Sequence, residues 1–135
     1  MTTKLVGVEP QFFTAQNLGC RCCGTVRLMP GFLGAFISLQ EACGVKFTIN
    51  SMCRCPAHNA RVGGHPRSLH LTQNAGHGID GTCAVDLALP EGHPHRQLVW
   101  DTAWSRGWSI GNNPRFLHLD RRTDYIKFPQ AVFRY

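Results

Sequence analysis

Asp86 is the position that most constrains this chain. It lies in "CAVDLAL", residues 83–89, a run that is otherwise apolar and is stopped by Pro90, the signature of a buried strand. A carboxylate inside such a strand is costly to bury unless it is paired or bound to a metal, so the fold must bring it a partner. Two other fragments carry candidates. "RFLHLDRR", residues 115–122, reads as a strand. Side chains two apart share a face there, which puts His118 and Asp120 with Phe116 on one side and Leu117 and Leu119 on the other. "SLHLTQNAGHGID", residues 68–80, adds His70 and His77. Imidazole nitrogen and carboxylate oxygen are natural Zn²⁺ ligands, and three of them beside one open position make a catalytic zinc site. Taken bare, a His two residues from an Asp on a strand is more often the pattern of a hydrogen-bonded pair.

Composition narrows the partners. The length of 135 residues suits one domain, spanning 1–135, with a real hydrophobic core. Hydrophobic residues at 43% and charged residues at 16% indicate a globular chain. The formal charge of +6 favours an anionic partner such as an acidic cell-wall polymer. Lys and Arg are scattered, with no run longer than Arg121-Arg122, which argues against a nucleic-acid partner. The start, "MTTKLVGVEPQFF", has no apolar leader, and no stretch approaches the ~20 residues of a membrane span. The expectation is a monomer made in the cytoplasm without a signal peptide. Seven cysteines cannot all pair. In a reducing compartment they read as thiols or metal ligands.

Patterning then orders the elements. Up to Pro30 the chain reads as irregular. "GFLGAFISLQEACG" follows, with Phe32, Leu33, Phe36, Ile37, Leu39 and Ala42 at near-helical spacing and Gly44 as a stop. "VKFTINS" alternates as a strand, and "PAHNARVGG" reads as a short helix opened by proline. "HPHRQLVWDTAWSRG" is an amphipathic helix with Leu98, Val99, Ala103 and Trp104 on one side. "WSIG" and "RFLHLDRR" are strands around the turn-former "NNP". Helices with short strands in this order predict an α+β fold, a small, mainly antiparallel sheet with flanking helices.

The blocks "RCPAHNARVGGHPRSLH", "AVDLA" and "FLHLD" together resemble the zinc D-Ala-D-Ala-type peptidases of family M15, in the short branch that includes phage and prophage lysis enzymes. The hedgehog signalling domain shares that metal-site fold. The resemblance runs from about Leu18 to Arg122, through "LGCRCCG" and "INSMCRCPAHN". The family signature, Ser-x-His, then Ala-x-Asp, then a later His on a strand, falls on Ser68, His70, Ala84, Asp86 and His118. It implies His70, Asp86 and His118 as ligands of Zn²⁺. It also implies Arg54 as a cation aimed at the substrate carboxylate or developing oxyanion, and Ser68 as a hydrogen-bonding group for substrate or ligand. One departure is clear: Asp86 follows His70 by sixteen residues, a wider gap than the family's. The extra "TQNAGHGID" reads as an inserted loop over residues 72–80, and His77 within it is a rival ligand.

Such an enzyme needs a proton acceptor for the attacking water. Relatives carry an acid or second His just upstream of the last ligand, where this chain has "NNPRF". Asp120 is the nearest acid, either as that base or as a carboxylate orienting a ligand imidazole. His58, His65, His93 and His95 read as surface or structural residues. Cys20, Cys22, Cys23, Cys53 and Cys55 raise a second question: together they could supply four thiolates for a structural metal, pair, or remain free. Cys43 and Cys83 read as core. The resemblance therefore predicts a zinc metallopeptidase cleaving peptidoglycan stem or cross-link peptides, acting on the cell wall after release. The alternative is a non-catalytic zinc-containing wall- or ligand-binding module.

Overall fold

The computed structural model describes residues 13–135, so the sequence reading of residues 1–12 lies outside the described residues. The described chain opens with α1, Ala15–Leu18. Thr14 caps it, accepting the Asn17 N–H while the Asn17 side chain accepts the Thr14 N–H, so each orphan amide finds a partner. A tight turn at 20–24 leads on to α2, Phe32–Cys43, which ends where Gly44 takes φ 68° and its N–H closes onto the Gln40 carbonyl. The buried stripe of α2 runs through Phe32, Phe36, Leu39 and Cys43. That is i, i+4, i+7, i+11. Ala42, one residue off this stripe, is turned outward and exposed.

Only the end of "VKFTINS" becomes a strand, β1, Ile49–Ser51. The residues before it approach as a loop in which Phe47 is buried and its N–H is held by the Gln40 side chain at 2.8 Å. The short helix α3, Pro56–Arg61, has proline in its first turn as its sequence predicts. Next come β2, Ala84–Leu87; α4, Arg96–Ser105; β3, Ser109–Asn112; and β4, Leu117–Asp120. Two further elements, α5, Arg122–Tyr125, and β5, Val132–Arg134, close the described chain and carry no sequence signal. The sheet order is β1-β2-β4-β3-β5, antiparallel except for the β3–β5 pair. The α+β fold with a small, mainly antiparallel sheet is therefore present.

The sheet divides its two faces sharply. Val85 and Leu87 of β2, Ile110 of β3 and Leu117 and Leu119 of β4 are fully buried, in one core with Phe32, Phe36 and Leu39 of α2 and Val99 and Ala103 of α4. On α4 the buried residues are Arg96, Val99 and Ala103. Leu98 and Trp104, expected on the apolar side, are exposed. The reason is that Arg96, Val99 and Ala103 stack at i, i+3, i+7, and their immediate neighbours lie about 100° around the helix. Arg96 is tolerated inside because its guanidinium donates to the carbonyls of Leu89 and Phe116 and to Asn112. No helix among the described residues is long and apolar enough to cross a membrane.

Candidate metal centre

The other sheet face carries the site. In an antiparallel pair, residues directly opposite share a face, and Asp86 of β2 stands opposite His118 of β4, with Ala84 opposite Asp120. On the far side of β4 the residue opposite His118 is Gly111. A Cβ there would lie 2.8 Å from His118 Cβ and 2.9 Å from its Cδ2, so the imidazole occupies space that only glycine leaves open. His70 arrives from a loop laid beside the continuation of β1. Its carbonyl accepts the Arg54 N–H at 2.9 Å and the Thr82 hydroxyl at 2.8 Å, and its own N–H donates to Ser68 Oγ.

The partners of each ring nitrogen fix what the site can hold. His70 Nδ1 is 2.8 Å from the Met52 carbonyl. A carbonyl only accepts, so Nδ1 carries the hydrogen and Nε2 presents a bare lone pair. That lone pair faces Asp86 Oδ1 at 3.1 Å. His118 Nε2 donates to Asp120 Oδ2 at 2.8 Å, which turns Nδ1 toward the same Asp86 Oδ1 at 2.9 Å. Two imidazole nitrogens and a carboxylate oxygen thus converge, all within 4.8 Å of one another and all buried. Such a meeting of acceptors needs positive charge at its centre, either protons or a metal ion.

The ionisation of these groups is compatible with a metal ion. Burial holds His70 below its usual value in spite of Asp86, so Nε2 resists protonation. For His118, burial opposes the charge, but its hydrogen bonds to the Asp120 and Asp86 carboxylates outweigh it and raise the pKa to about 8. Burial likewise works to raise Asp86, yet His70 and His118 bring it well below the usual carboxylate range. A permanently ionised carboxylate, one lone pair that rejects protons and a second held by a removable proton form a ready donor set for a divalent cation of the N/O-ligand type.

Around this set, Arg54 is 7% exposed. Its Nη1 donates to Asn59 Oδ1 at 3.0 Å, its Nη2 lies 3.4 Å from the Tyr135 hydroxyl and 3.8 Å from Asp86 Oδ2. Its Nε has no hydrogen-bond partner among the described residues. Asp120 is fully buried, and its two oxygens take His118 Nε2–H and the Arg122 backbone and guanidinium N–H groups. Burial works to raise its pKa, but Arg122 and His118 hold it down to about 2. Tyr135 stacks on the His118 ring at 4.1 Å between centroids. A cleft of about 1000 Å³ opens over these groups, with His77 and Phe128 on its wall.

The structure thus brings His70, Asp86 and His118 together, with Arg54 beside them and Ser68 supporting the His70 turn. His77 stands apart, with its ring packed edge-on to Phe128 at 5.5 Å. Four participants escaped the sequence reading. Met52 acts only through its carbonyl and leaves no side-chain signal. Asn59 anchors Arg54 from α3. Arg122, two residues after Asp120, was legible as a possible ion-pair partner. Tyr135 reaches the site only because β5 adds to the sheet edge.

No curated protein and no solved structure matches the chain. The sequence profile of one family, Peptidase M15, does match, over residues 11–120. Its members are generally metal-dependent, and the donor set just described lies wholly inside the matched stretch. With the match covering most of its length, the chain belongs to the Peptidase M15 family.

Proposed function

We propose that this chain is a zinc-dependent peptidase that cleaves peptidoglycan stem or cross-link peptides, in the manner of a small phage-type lysin that reaches the wall after release. The observation that carries the reading is the pair of imidazoles whose outer nitrogens are each tied to a fixed partner, leaving both inner nitrogens aimed at one buried carboxylate. A zinc ion held by His70, Asp86 and His118 supplies Lewis acidity and lowers the pKa of water toward neutrality. The chain's own residues do the rest. Arg54 offers a guanidinium beside the donor set, suited to a peptide carboxylate or to the charge developing on a scissile carbonyl oxygen. The basic charge of +6 suits an anionic wall polymer.

Asp120 fits the positioning role better than that of base. Its oxygens are committed to His118 and Arg122, and a pKa of about 2 is far from the near-neutral value that efficient proton acceptance needs. It orients the His118 ring instead, as carboxylates behind metal-bound histidines do. One observation keeps the binding-module reading in play: among the described residues, Asp86 and Asp120 are the carboxylates that line the cleft, and both are already engaged. The deciding experiment incubates purified protein with peptidoglycan, with and without a chelator, and reads released peptides by mass spectrometry. Fragments that vanish on chelation and return with zinc support the peptidase. Binding to the wall without fragments under any metal condition replaces it with the binding module.

A further inference from the structure

Away from the cleft, four of the seven cysteines meet. Cys20, Cys22 and Cys23 come from the turn after α1, and Cys55 comes from the residue that caps α3. Their sulfurs all lie within 4.8 Å of one another. Cys20 and Cys22 are 3.6 Å apart, and Cys22 and Cys55 3.4 Å. A zinc–sulfur bond of about 2.3 Å implies sulfur–sulfur edges of about 3.8 Å in a tetrahedron, so the cluster needs only small movements to close on an ion. The backbone is already shaped for it. Gly24 takes φ 77° and donates its N–H to the Cys20 carbonyl at 2.7 Å, which curls the turn back on itself. Cys20 Sγ accepts the Cys55 N–H at 3.3 Å, and Cys55 Sγ accepts the His58 N–H at 3.4 Å. Amide hydrogens pointed at sulfur favour thiolate over thiol.

We propose that Cys20, Cys22, Cys23 and Cys55 form a second metal site, taking one soft divalent cation, zinc by preference, in a closed four-thiolate shell that pins the 20–24 turn to the start of α3. With all four positions filled by protein, the site is structural. Binding displaces to solvent one proton from each sulfur still protonated. No electron moves and no oxidant is required. Burial works to raise Cys20, yet the amides of Cys55, Cys22 and Cys23 bring it down to about 6. Contact with the Cys55 sulfur, above all, pushes Cys22 up to about 11. Four sulfurs crowded within 4.8 Å of one another are what a cation would relieve. Arg61, which reaches the Cys22 side chain, offsets part of the negative charge of a four-thiolate zinc.

The structure also separates the thiols that do not take part. Cys43, Cys53 and Cys83 are buried in the core. Cys53 belongs to the same "CRC" as Cys55, but its sulfur points toward the Arg27 carbonyl at 3.9 Å. Because Cys55 immediately follows Arg54, a clamp at Cys55 steadies the backbone from which that guanidinium enters the cleft.

The test replaces bound metal in the reduced, full-length protein with cobalt(II) and measures metal stoichiometry alongside the absorption spectrum. About two metal equivalents, with thiolate-to-cobalt charge-transfer bands in the near ultraviolet, are expected from two sites of which one is all-sulfur. In Cys22→Ser/Cys55→Ser those bands should vanish while one equivalent stays. In Asp86→Ala the bands should stay while one equivalent is lost. If the cysteine variant fails to fold, titrating the unaltered protein with an organomercurial gives the same information, since one zinc should leave as four thiols react. A wild-type cobalt form without charge-transfer bands overturns the site. So does a mass two hydrogens light, from a disulfide in the cluster, with no second metal.

Discussion

His118 sits in the middle of β4 with both ring nitrogens committed to carboxylates, whereas Cys22 sits exposed in a turn with sulfurs as its neighbours. The two donor clusters differ in what holds their shape. In the first, strand register, the Met52 carbonyl and the Asp120–Arg122 pair fix every donor, so the geometry stands without an ion. In the second, the Gly24 turn and a few amide N–H groups gather the sulfurs in an exposed loop, and an ion has only the last small movements to impose. A site meant to keep a position open for chemistry needs the first construction, because its partly filled coordination shell cannot organise the protein. A closed shell can organise the loops that form it.

The largest effect should come from removing the shared carboxylate. Asp86→Ala should take peptide hydrolysis to background and remove one metal equivalent, while the cysteine cluster keeps its own. Elemental analysis together with fragment release checks this. Next is the support behind the ligand: Asp120→Asn should weaken metal affinity at the His/Asp centre about 10–100-fold, measured by competition with a chromogenic chelator. Turnover reduced about 10²–10⁴-fold with metal affinity intact would instead make Asp120 the proton acceptor.

Arg54→Lys should raise KM about tenfold for peptides ending in a free carboxylate, through loss of a planar charged donor. Peptides ending in an amide should show little change, which tests the carboxylate role directly. Acidity should act on the His/Asp centre through His118. In the metal-free chain its pKa is about 8, so below that pH the metal must displace a proton. Affinity should fall about tenfold per pH unit as pH drops below 8, and level off above it. Isothermal titration in buffers of different ionisation enthalpy would count the protons released. The smallest effect belongs to His77→Ala. Since His77 lies on the cleft wall, outside the donor set, metal content should not change. Loss of one equivalent would show that the loop histidine had been a ligand.

Much of the sheet site was legible because strand alternation is a strict rule. Asp86 in an apolar run and His118 between Leu117 and Leu119 pointed to one face with a period of two. The helical stripes were less secure: Ala42, Leu98 and Trp104 are apolar and well spaced, but which side of a helix meets the sheet depends on packing that a single helix does not encode. β5 stayed silent for a similar reason. "VFR" is too short to show a pattern, and it becomes a strand only through the edge that β3 offers. Which four of the cysteines converge was likewise beyond spacing, since Cys53 and Cys55 differ by two residues yet point to different surroundings.

The loop between His70 and Asp86 has a consequence for protein engineering. At its base the His70 carbonyl is tied to the Thr82 hydroxyl, and the Cys83 N–H to the Leu69 carbonyl at 2.9 Å. Its tip closes on itself through paired backbone bonds between Asn74 and Ile79. Within it, Asn74 Nδ2 donates to the carbonyls of Arg67 and Ser68, so the loop also braces the turn from which His70 enters the site. Residues 72–80 therefore border the cleft, with His77 on its wall, while Asn74 ties them to the cleft residues Arg67 and Ser68. Exchanging its exposed residues while keeping Asn74 would vary what the cleft admits and leave the support of the His70 turn in place.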